Sequence, residues 1–308
     1  MIYGVHMRRL IIVYNPDSSQ YSRVKEDILN KLKNLKGYII GKYKVDKTDV
    51  DQNATKLSKL LKNGDFVISA GGDATGIIAS NAILKSGKDV SLAVLPYGNF
   101  NDLSRTLGAK TLEDVMTAGP AQKLYPLEIY VDGKFFRYAT CYVTIGMMGE
   151  AVKLYDTKKM RKKLKTNFGR KIISYTALAG WYFKNRHKKI FLPEFKLNGK
   201  LQSKKVSDYY AISGKYMARV MRNNEDYKKP KTFRSNAARL TSLCRFFSLM
   251  AKSILYRVPG SETKGDKLEF LEPATVELQA EGEYKVFKNI RTIEVRKGKK
   301  CLKVITKR

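Results

Sequence analysis

The chain has 308 residues, which is long enough for two domains that each bury a core. Lys and Arg number 60 against 28 Asp and Glu, and the net charge of +32 indicates attraction to polyanions such as nucleotides, anionic lipid or nucleic acid. Three widely spaced cysteines and two histidines offer no zinc site and indicate a reducing compartment. No apolar stretch is long enough to span a bilayer and no signal peptide is evident, so we expect a cytoplasmic protein, soluble or peripheral on the inner face of the membrane.

The first 121 residues alternate between strand and helix patterns. Short apolar runs predict buried strands, and apolar side chains at every third or fourth position predict helices. This alternation is typical of a parallel sheet with right-handed crossovers, so we expect a Rossmann-like α/β domain over residues 1–121. The predicted strands are 8–14, 38–45, 66–68 and 90–95, and the predicted helices are 21–35, 49–62, 77–84 and 112–116.

The pattern changes after residue 120. Residues 123–131 and 134–145 predict an antiparallel hairpin around the turn Asp132-Gly133. We therefore expect a second, mainly β, sandwich-like domain over residues 122–308. In the alternative arrangement, the last strands belong to the sheet of the first domain. Further strands are predicted over 190–197, 208–213, 267–271, 275–279 and 290–295.

Two stretches of the second domain are predicted to be helical insertions rich in Lys and Arg. Residues 153–189 and 237–258 also carry many aromatic and aliphatic side chains. One interpretation is a pair of core-packed helices with a solvated basic face, which is the commoner case. The other is docking on an anionic membrane surface, because interfacial helices have the same composition.

Two of the predicted strands in the first domain end in glycine-containing turns that lead into helices. The first turn is GGDATG, residues 71–76, and the second is PYGNFND, residues 96–102. Carboxyl ends of parallel strands meet at one edge of a sheet, and glycine lets the backbone approach an anion. One such turn would as readily be free of ligand, but two of them indicate a site for nucleotide phosphates at helix N-termini.

These turns resemble the GGDGT and PLGTGND motifs of the diacylglycerol kinase catalytic domain family, whose bacterial soluble lipid kinases are related to sphingosine kinases and NAD kinases. Asn15-Pro16-Asp17-Ser18 is similar to the family's first-strand motif, and Thr48 stands where the family has a nucleotide-contacting Thr. Glu281-Gly282-Glu283 resembles its D-G-E motif. The resemblance covers nearly the whole chain in the expected order. It implies an ATP-binding domain, a lipid-binding β domain and an active site in the interdomain cleft.

The resemblance also implies an activity, which is transfer of the γ-phosphate of ATP to a hydroxyl of diacylglycerol or a similar lipid alcohol. Asp73 is expected to hold Mg²⁺ on the ATP phosphates or to order the turn around it. Glu281 and Glu283 are the candidate catalytic bases, and Glu283 is favoured because it matches the family's Glu. The residues expected to form the nucleotide pocket are Asn15, Pro16, Thr48, Gly71, Gly72, Asp73, Ala74, Thr75, Gly76, Gly98, Asn99, Asn101 and Asp102.

The expected partners are a lipid substrate at an anionic membrane surface and, since the family is often dimeric, a second copy of the chain. No specific nucleic-acid motif is present, so the positive charge predicts only non-specific attraction to nucleic acid. Ala74 replaces a family glycine, Asn99 and Phe100 replace Thr-Gly, and Glu281 replaces Asp. These substitutions leave open a catalytically weakened or silent relative that binds nucleotide or anionic membrane. The shared GGDGT pattern leaves an NAD kinase-like enzyme as a lesser alternative.

Overall fold

A computed structural model gives the three-dimensional structure of the chain. The predicted insertion over 153–189 lies almost wholly outside the residues it describes, and Thr48, Asn99 and Phe100 lie outside them as well. The described chain divides into two compact units. The first is formed by the residues up to Pro126 and from Gly298 onward, and the second by the described residues from Leu127 to Lys297. The described residues are 8–18, 20–33, 35–46, 49–98, 101–147, 149, 176, 180, 183, 191–217, 221–223, 231–240 and 242–307.

A sheet of six strands forms the centre of the first unit in the described part of the chain. Its strands are β1 (Arg8–Tyr14), β2 (Tyr38–Lys44), β3 (Phe66–Gly71), β4 (Ser91–Pro96), β5 (Gln122–Leu124) and the last strand, β18 (Leu302–Val304). Their order is β2-β1-β3-β4-β18-β5, and every neighbouring pair is parallel except β18 with β5. The inner strands carry uninterrupted buried apolar runs, as expected where helices cover both faces of a parallel sheet.

Helices follow the parallel strands as the periodicity predicts. They are α1 (Tyr21–Val24) with a π-helical continuation (Lys25–Asn30), α2 (Val50–Leu60), α3 (Asp73–Ser86), α4 (Asp102–Leu107) and α5 (Leu112–Met116). The start of α2 is set by Asp49, whose side chain accepts hydrogen bonds from the N–H groups of Asp51 and Gln52. In α3, Ile77 and Ile78 are buried, so both serve the core of the unit.

An antiparallel sheet of ten strands forms the second unit within the described ranges. These strands run in the order β15-β14-β11-β8-β16-β17-β6-β7, β9 pairs with β16 and β10 pairs with β9, and β12 and β13 form a separate ribbon. A sixth helix, α6 (Leu243–Leu255), also belongs to this unit. The bounds are β6 (Leu127–Val131), β7 (Lys134–Ala139), β8 (Tyr142–Gly146), β9 (Phe195–Leu197), β10 (Lys200–Leu201), β11 (Asp208–Ile212), β12 (Tyr216–Met217), β13 (Met221–Arg222), β14 (Phe233–Ala238), β15 (Ser261–Thr263), β16 (Gly265–Ala280) and β17 (Glu283–Lys297).

The predicted fold class is confirmed, since a parallel α/β unit and a β-rich unit are both present. The structure differs from the predicted boundary at residue 121. The single strand predicted over 123–131 is two strands, because β5 joins the first sheet and β6 joins the second, with Pro126 between them. The first unit therefore extends to Pro126 and is joined by β18. The predicted interdomain active site concerns both units together and stays a prediction.

Two further elements of the second unit differ from the sequence patterns. The insertion predicted to be helical from Ala237 begins with the end of β14, and its helix starts only at Leu243. The strands predicted over 267–271 and 275–279 form one long strand, β16, with register shifts between Glu269 and Val276. These irregularities surround Pro273, which has no N–H for the ladder, so a bulge replaces the turn that a proline would otherwise indicate. In the described part of the chain, no helix combines the length and apolar character needed to cross a membrane.

Candidate active site

The loops after β1, β3 and β4 lie at one edge of the first sheet. Tyr14 is in register with Ala70, and Gly71 is in register with Pro96, so the three strands end at nearly the same level. The segments that begin at Asn15, Gly72 and Tyr97 therefore emerge side by side. This is the carboxyl edge of the strands, where open α/β sheets bind their ligands.

The two glycine turns are in direct contact with each other. A Cβ added to Gly72 would lie 3.2 Å from the Cα of Gly98, and a Cβ on Gly98 would overlap the Cα of Gly72. Gly71 is equally constrained, because a side chain there would overlap Thr75. The N–H of Tyr97 donates to the carbonyl of Gly71 over 3.1 Å. These glycines are therefore needed for the close approach of two backbones.

Replacing Gly98 with alanine is expected to destabilise the protein by about 1–3 kcal/mol or more, because the added methyl group overlaps backbone that is fixed by β3. Gly76 is the matched control, since its added Cβ would meet only ordinary contacts at 3.5 Å inside helix α3. Gly76→Ala should be neutral or stabilising by up to about 1 kcal/mol. Urea unfolding of both variants measures this, and equal stability of the two would contradict the close contact.

Asp73 ties the two turns together. It is the first residue of α3, and its Oδ2 accepts a hydrogen bond of 2.9 Å from the N–H of Asn101. Its Oδ1 accepts another of 2.7 Å from the N–H of Asp102, which is the first residue of α4. The carboxylate of one turn thus caps the helix that follows the other turn.

Asn101 completes this arrangement with an unusual backbone. Its φ of 57° is left-handed, a conformation that asparagine tolerates better than most residues. Its Oδ1 accepts from the N–H of Gly98 and its Nδ2 donates to the carbonyl of Gly98, both over 2.7 Å. The side chain of Asn101 therefore closes the second turn as firmly as Asp73 joins it to the first.

The N-termini of the two helices are not equivalent, although the sequence pattern suggests two similar anion sites. The first N–H groups of α4 are used by the Asp73 carboxylate. Helix α3 has Gly72 at its N-cap, which has no side chain to accept from its N–H groups, and only the N–H of Asp73 itself is approached by the Asp73 carboxylate. Its neighbour Ala74 lies within the helix, so the replacement of a glycine by alanine brings no strain there. The start of α3 is the better anion site of the two.

Burial raises the pKa of Asp73 to about 6, while the N–H groups of Asp102, Asn101 and Leu103 oppose the rise. Below pH 6 the folded protein therefore holds a proton that the unfolded chain still releases. Because the folded protein binds more protons than the unfolded chain in this range, its stability increases as the pH falls. The free energy of unfolding of wild type, relative to that of Asp73→Asn, should therefore rise by up to about 3 kcal/mol between pH 7 and pH 4. Urea unfolding of both proteins across that range measures the difference.

Asp114 supplies the opposite case for comparison. Hydrogen bonds from the N–H of Lys110 and from Lys307 lower the pKa of its carboxyl to about 2. The stability that Asp114 contributes is therefore fully present above the carboxyl's ordinary pKa and is lost only as the pH falls towards 2. The difference between wild type and Asp114→Asn should stay nearly constant from pH 7 to pH 5. If the stability difference from wild type had the same pH dependence in Asp73→Asn and Asp114→Asn, the raised pKa of Asp73 would be contradicted.

Those of the remaining predicted nucleotide residues that the structure describes lie at the same edge. Asn15 follows β1, and its Oδ1 accepts a hydrogen bond of 2.9 Å from the N–H of Asp17. Its carbonyl accepts from Ser18, so Asn15 and Pro16 form a closed turn. Thr75, Gly76 and Asp102 are buried beneath the glycine turns. Asn15 is thus brought to the same edge as Gly72 and Asp73, while Thr48 and Asn99 lie outside the described residues.

The acidic turn of the second unit is not an exposed loop. Glu281 and Gly282 join β16 to β17 with left-handed φ values of 52° and 94°. Only 3% of Glu281 is exposed, and its carboxylate accepts from the hydroxyl of Thr140 at 2.7 and 2.8 Å and from the N–H of Cys141. Glu283, the first residue of β17, is only partly buried. The two glutamates therefore have different environments, one enclosed and one accessible.

Thr140 and Cys141 are the site residues that sequence reasoning did not single out. They lie in the connection between β7 and β8, about 140 residues before the glutamate that they contact. Both are neutral and neither stands in a motif, so no signal in the sequence marks them. Their place is fixed by β8, which pairs with the end of β16 through Val143 and Ala280.

Mg²⁺ would have to be bound mainly by the substrate phosphates. Among the described residues, no three His, Cys, Asp or Glu side chains are grouped to hold a metal ion. Mg²⁺ usually takes one or two carboxylates and completes its shell with phosphates and water. Asp73 at the start of α3 fits this limited role, since carboxylate oxygens can accept more than one partner.

Comparisons with known proteins show similarity to one family over part of the chain. The model of the diacylglycerol kinase catalytic domain matches residues 9–124. A diacylglycerol kinase of Staphylococcus saprophyticus is 31% identical over 143 residues, 46% of this chain and 41% of that protein. One from Bacillus subtilis is 30% identical over 174 residues, 53% of this chain and 52% of that protein. The chain thus spans about two fifths to one half of the length of these relatives.

Solved structures extend the likeness of fold over almost the whole chain. A diacylglycerol kinase from Bacillus anthracis superposes with a TM-score of 0.60 at 15% identity, covering 96% of both chains. A second structure from the same organism gives a TM-score of 0.65 at 16% identity, covering 97% of both chains. The matched segment contains both glycine turns and Asp73. Over residues 9–124, the chain is therefore similar to the diacylglycerol kinase catalytic domain family.

Proposed function

We propose that the protein is an ATP-dependent lipid kinase that phosphorylates a hydroxyl of diacylglycerol or a similar lipid alcohol. The observation that carries the proposal is the pair of glycine turns joined by Asp73 at the carboxyl edge of β3 and β4. The model of the diacylglycerol kinase catalytic domain matches residues 9–124, which include both turns. A site of this kind suits phosphoryl transfer, because that reaction depends on fixed positions and electrostatics.

The phosphates of ATP would bind at the start of α3. Its first N–H groups and the positive end of the helix dipole attract anions, and Gly71 and Gly72 let the phosphates approach the backbone. Asp73 keeps the turns in place by holding the N–H groups of Asn101 and Asp102. Mg²⁺ bound with ATP would supply positive charge that neutralises the phosphates.

The acceptor hydroxyl would be activated by Glu283 in the second unit. As the hydroxyl oxygen bonds to the γ-phosphorus, its proton passes to the carboxylate of Glu283, the bond from phosphorus to the bridging oxygen breaks, and ADP leaves. Glu281 suits this role less well, because its carboxylate is enclosed by Thr140 and Cys141. We assign it the task of shaping the turn that presents Glu283.

The test is transfer of labelled γ-phosphate from ATP with Mg²⁺ to lipid alcohols in mixed micelles. Diacylglycerol, ceramide, a sphingoid base and phosphatidylglycerol serve as acceptors, and NAD is assayed separately in solution. We expect a labelled lipid from wild type and none from Asp73→Ala. ATP binding without any lipid product would contradict the kinase and favour a silent nucleotide-binding relative. Phosphorylation of NAD alone would favour an NAD kinase-like enzyme.

A further inference from the structure

Helix α6 of the second unit has one face packed on the protein and one face in solvent. Phe246, Leu249 and Met250 are buried and hold the helix in place. On the opposite face Phe247 and Leu255 are 46% and 70% exposed, and they follow one another at a spacing of eight residues with Ala251 between them. Residues four apart share one side of a helix, so these side chains form an outward apolar stripe.

A basic stripe runs beside the apolar one. Arg245 and Lys252 are exposed and lie seven residues apart, which places them on the same side of α6. They border a groove of about 440 Å³ between α6 and the segment after β14, where Arg239 adds a third cation. The next residues, Tyr256 and Arg257, are exposed, so an aromatic and a basic side chain follow directly after the end of the helix.

The charged side chains of this stretch of sequence have one sign. The sequence contains no Asp or Glu between Phe233 and Pro259, while the five cations of that stretch are Arg234, Arg239, Arg245, Lys252 and Arg257. A solvated helix that served only solubility would ordinarily mix both signs of charge. An anion that approaches the groove therefore meets cations without competing carboxylates on the same segment.

We propose that α6 and the adjoining groove form a docking surface for an anionic membrane. We call this surface, formed by Arg239, Arg245, Phe247, Lys252, Leu255 and Tyr256, the α6 surface. Its apolar stripe would enter the boundary between headgroups and acyl chains, and its cations would contact lipid phosphates at the level of the headgroups. The inference goes beyond the proposed function, because docking requires neither ATP nor an acceptor lipid.

Charge and apolarity together favour a membrane over the other occupants of a basic surface. A second copy of the chain carries the same net charge of +32, so charge complementarity disfavours self-association through this face. Nucleic acid would complement the cations, but its phosphate backbone offers no partner for Phe247 and Leu255. An anionic bilayer complements both stripes.

The experiment measures binding of the full-length chain to vesicles by flotation, without nucleotide or diacylglycerol. Phosphatidylcholine vesicles with and without phosphatidylserine, an anionic lipid that is not among the candidate acceptors, are compared for wild type, for Arg245→Gln/Lys252→Gln and for Phe247→Ser/Leu255→Ser. Wild type should bind only the anionic vesicles. The cation variant should bind them roughly ten- to thirty-fold more weakly, and the apolar variant roughly tenfold more weakly.

The matched control is Lys56→Gln/Lys59→Gln, which removes two exposed charges from helix α2 of the first unit. It changes the net charge as much as the cation variant does, and it should bind vesicles like wild type. Equal weakening by both charge variants would overturn the proposal, because net charge alone would then explain binding. Unchanged vesicle binding by both α6 variants would also overturn it, as would loss of binding to a DNA duplex but not to vesicles. Thermal unfolding that matches wild type verifies that each variant is folded.

Discussion

Glu283→Gln is expected to lower kcat for lipid phosphorylation by about 10²- to 10⁴-fold, the usual contribution of a general base. The amide cannot accept the proton of the acceptor hydroxyl, although it has nearly the same size and shape. Glu283 begins β17 and is only partly buried, so the substitution should leave the hairpin intact. The measurement is steady-state transfer from ATP to the lipid acceptor, with ATP affinity determined separately and expected to be unchanged.

Glu281→Gln tests whether Glu281 has a structural role that differs from the role of Glu283 as the base. One amide oxygen can still accept from the N–H of Cys141, and the hydroxyl of Thr140 can turn to accept from the amide nitrogen. We expect a stability loss of about 1–2 kcal/mol and at most a tenfold fall in kcat. Glu269→Gln, a partly exposed substitution beside Lys267, should change neither quantity. A larger loss of kcat in Glu281→Gln than in Glu283→Gln would reverse the assignment of the base.

Asp73→Asn is expected to lower kcat/KM by about 10²-fold and to weaken ATP binding. An amide offers one acceptor oxygen where two N–H groups now donate, so its NH₂ group would face the N–H of either Asn101 or Asp102. The second turn would separate from the first, and small displacements of positioned groups have effects of this size on rate. The lost hydrogen bond should also lower the free energy of unfolding by about 1–3 kcal/mol.

Asp114→Asn is the control for that loss of stability. Asp114 also accepts from two backbone N–H groups, those of Lys110 and Thr111, but at the start of α5. This variant should lose stability while ATP affinity and turnover remain as in wild type. Calorimetric ATP titration and urea unfolding of both variants make the comparison. Wild-type ATP affinity in Asp73→Asn would show that the link between the turns is not needed for nucleotide binding.

The α/β unit could be predicted from its sequence because its signals are local. Apolar runs such as those at residues 10–13 and 66–68 indicate burial on both faces of a sheet, and Asp49 marks the start of its helix. The glycine turns were found for the same reason. What the sequence did not show is that Gly72 touches Gly98 and that Asp73 caps the helix of the other turn, since these contacts join residues about 26 to 29 positions apart.

The β-rich unit was less predictable because its pairings are distant. β14 carries Arg, Ser and Asn between apolar residues, so its pattern was merged with the helix that follows. The burial of Glu281 depends on Thr140 and Cys141, which come from a different hairpin. Only these tertiary contacts make Glu281 an internal group. Such contacts leave no periodic trace in a single sequence.

The position of β18 sets an order for the synthesis and folding of the chain. This strand lies between β4 and β5 in the first sheet, yet it is translated more than 170 residues after β5. While the ribosome is making the second unit, β4 has an unpaired edge, and open edges of this kind invite wrong partners. The first unit therefore stays incomplete until its last strand is made. Chaperone demand during translation should be concentrated in that interval, and translation past residue 304 should end it.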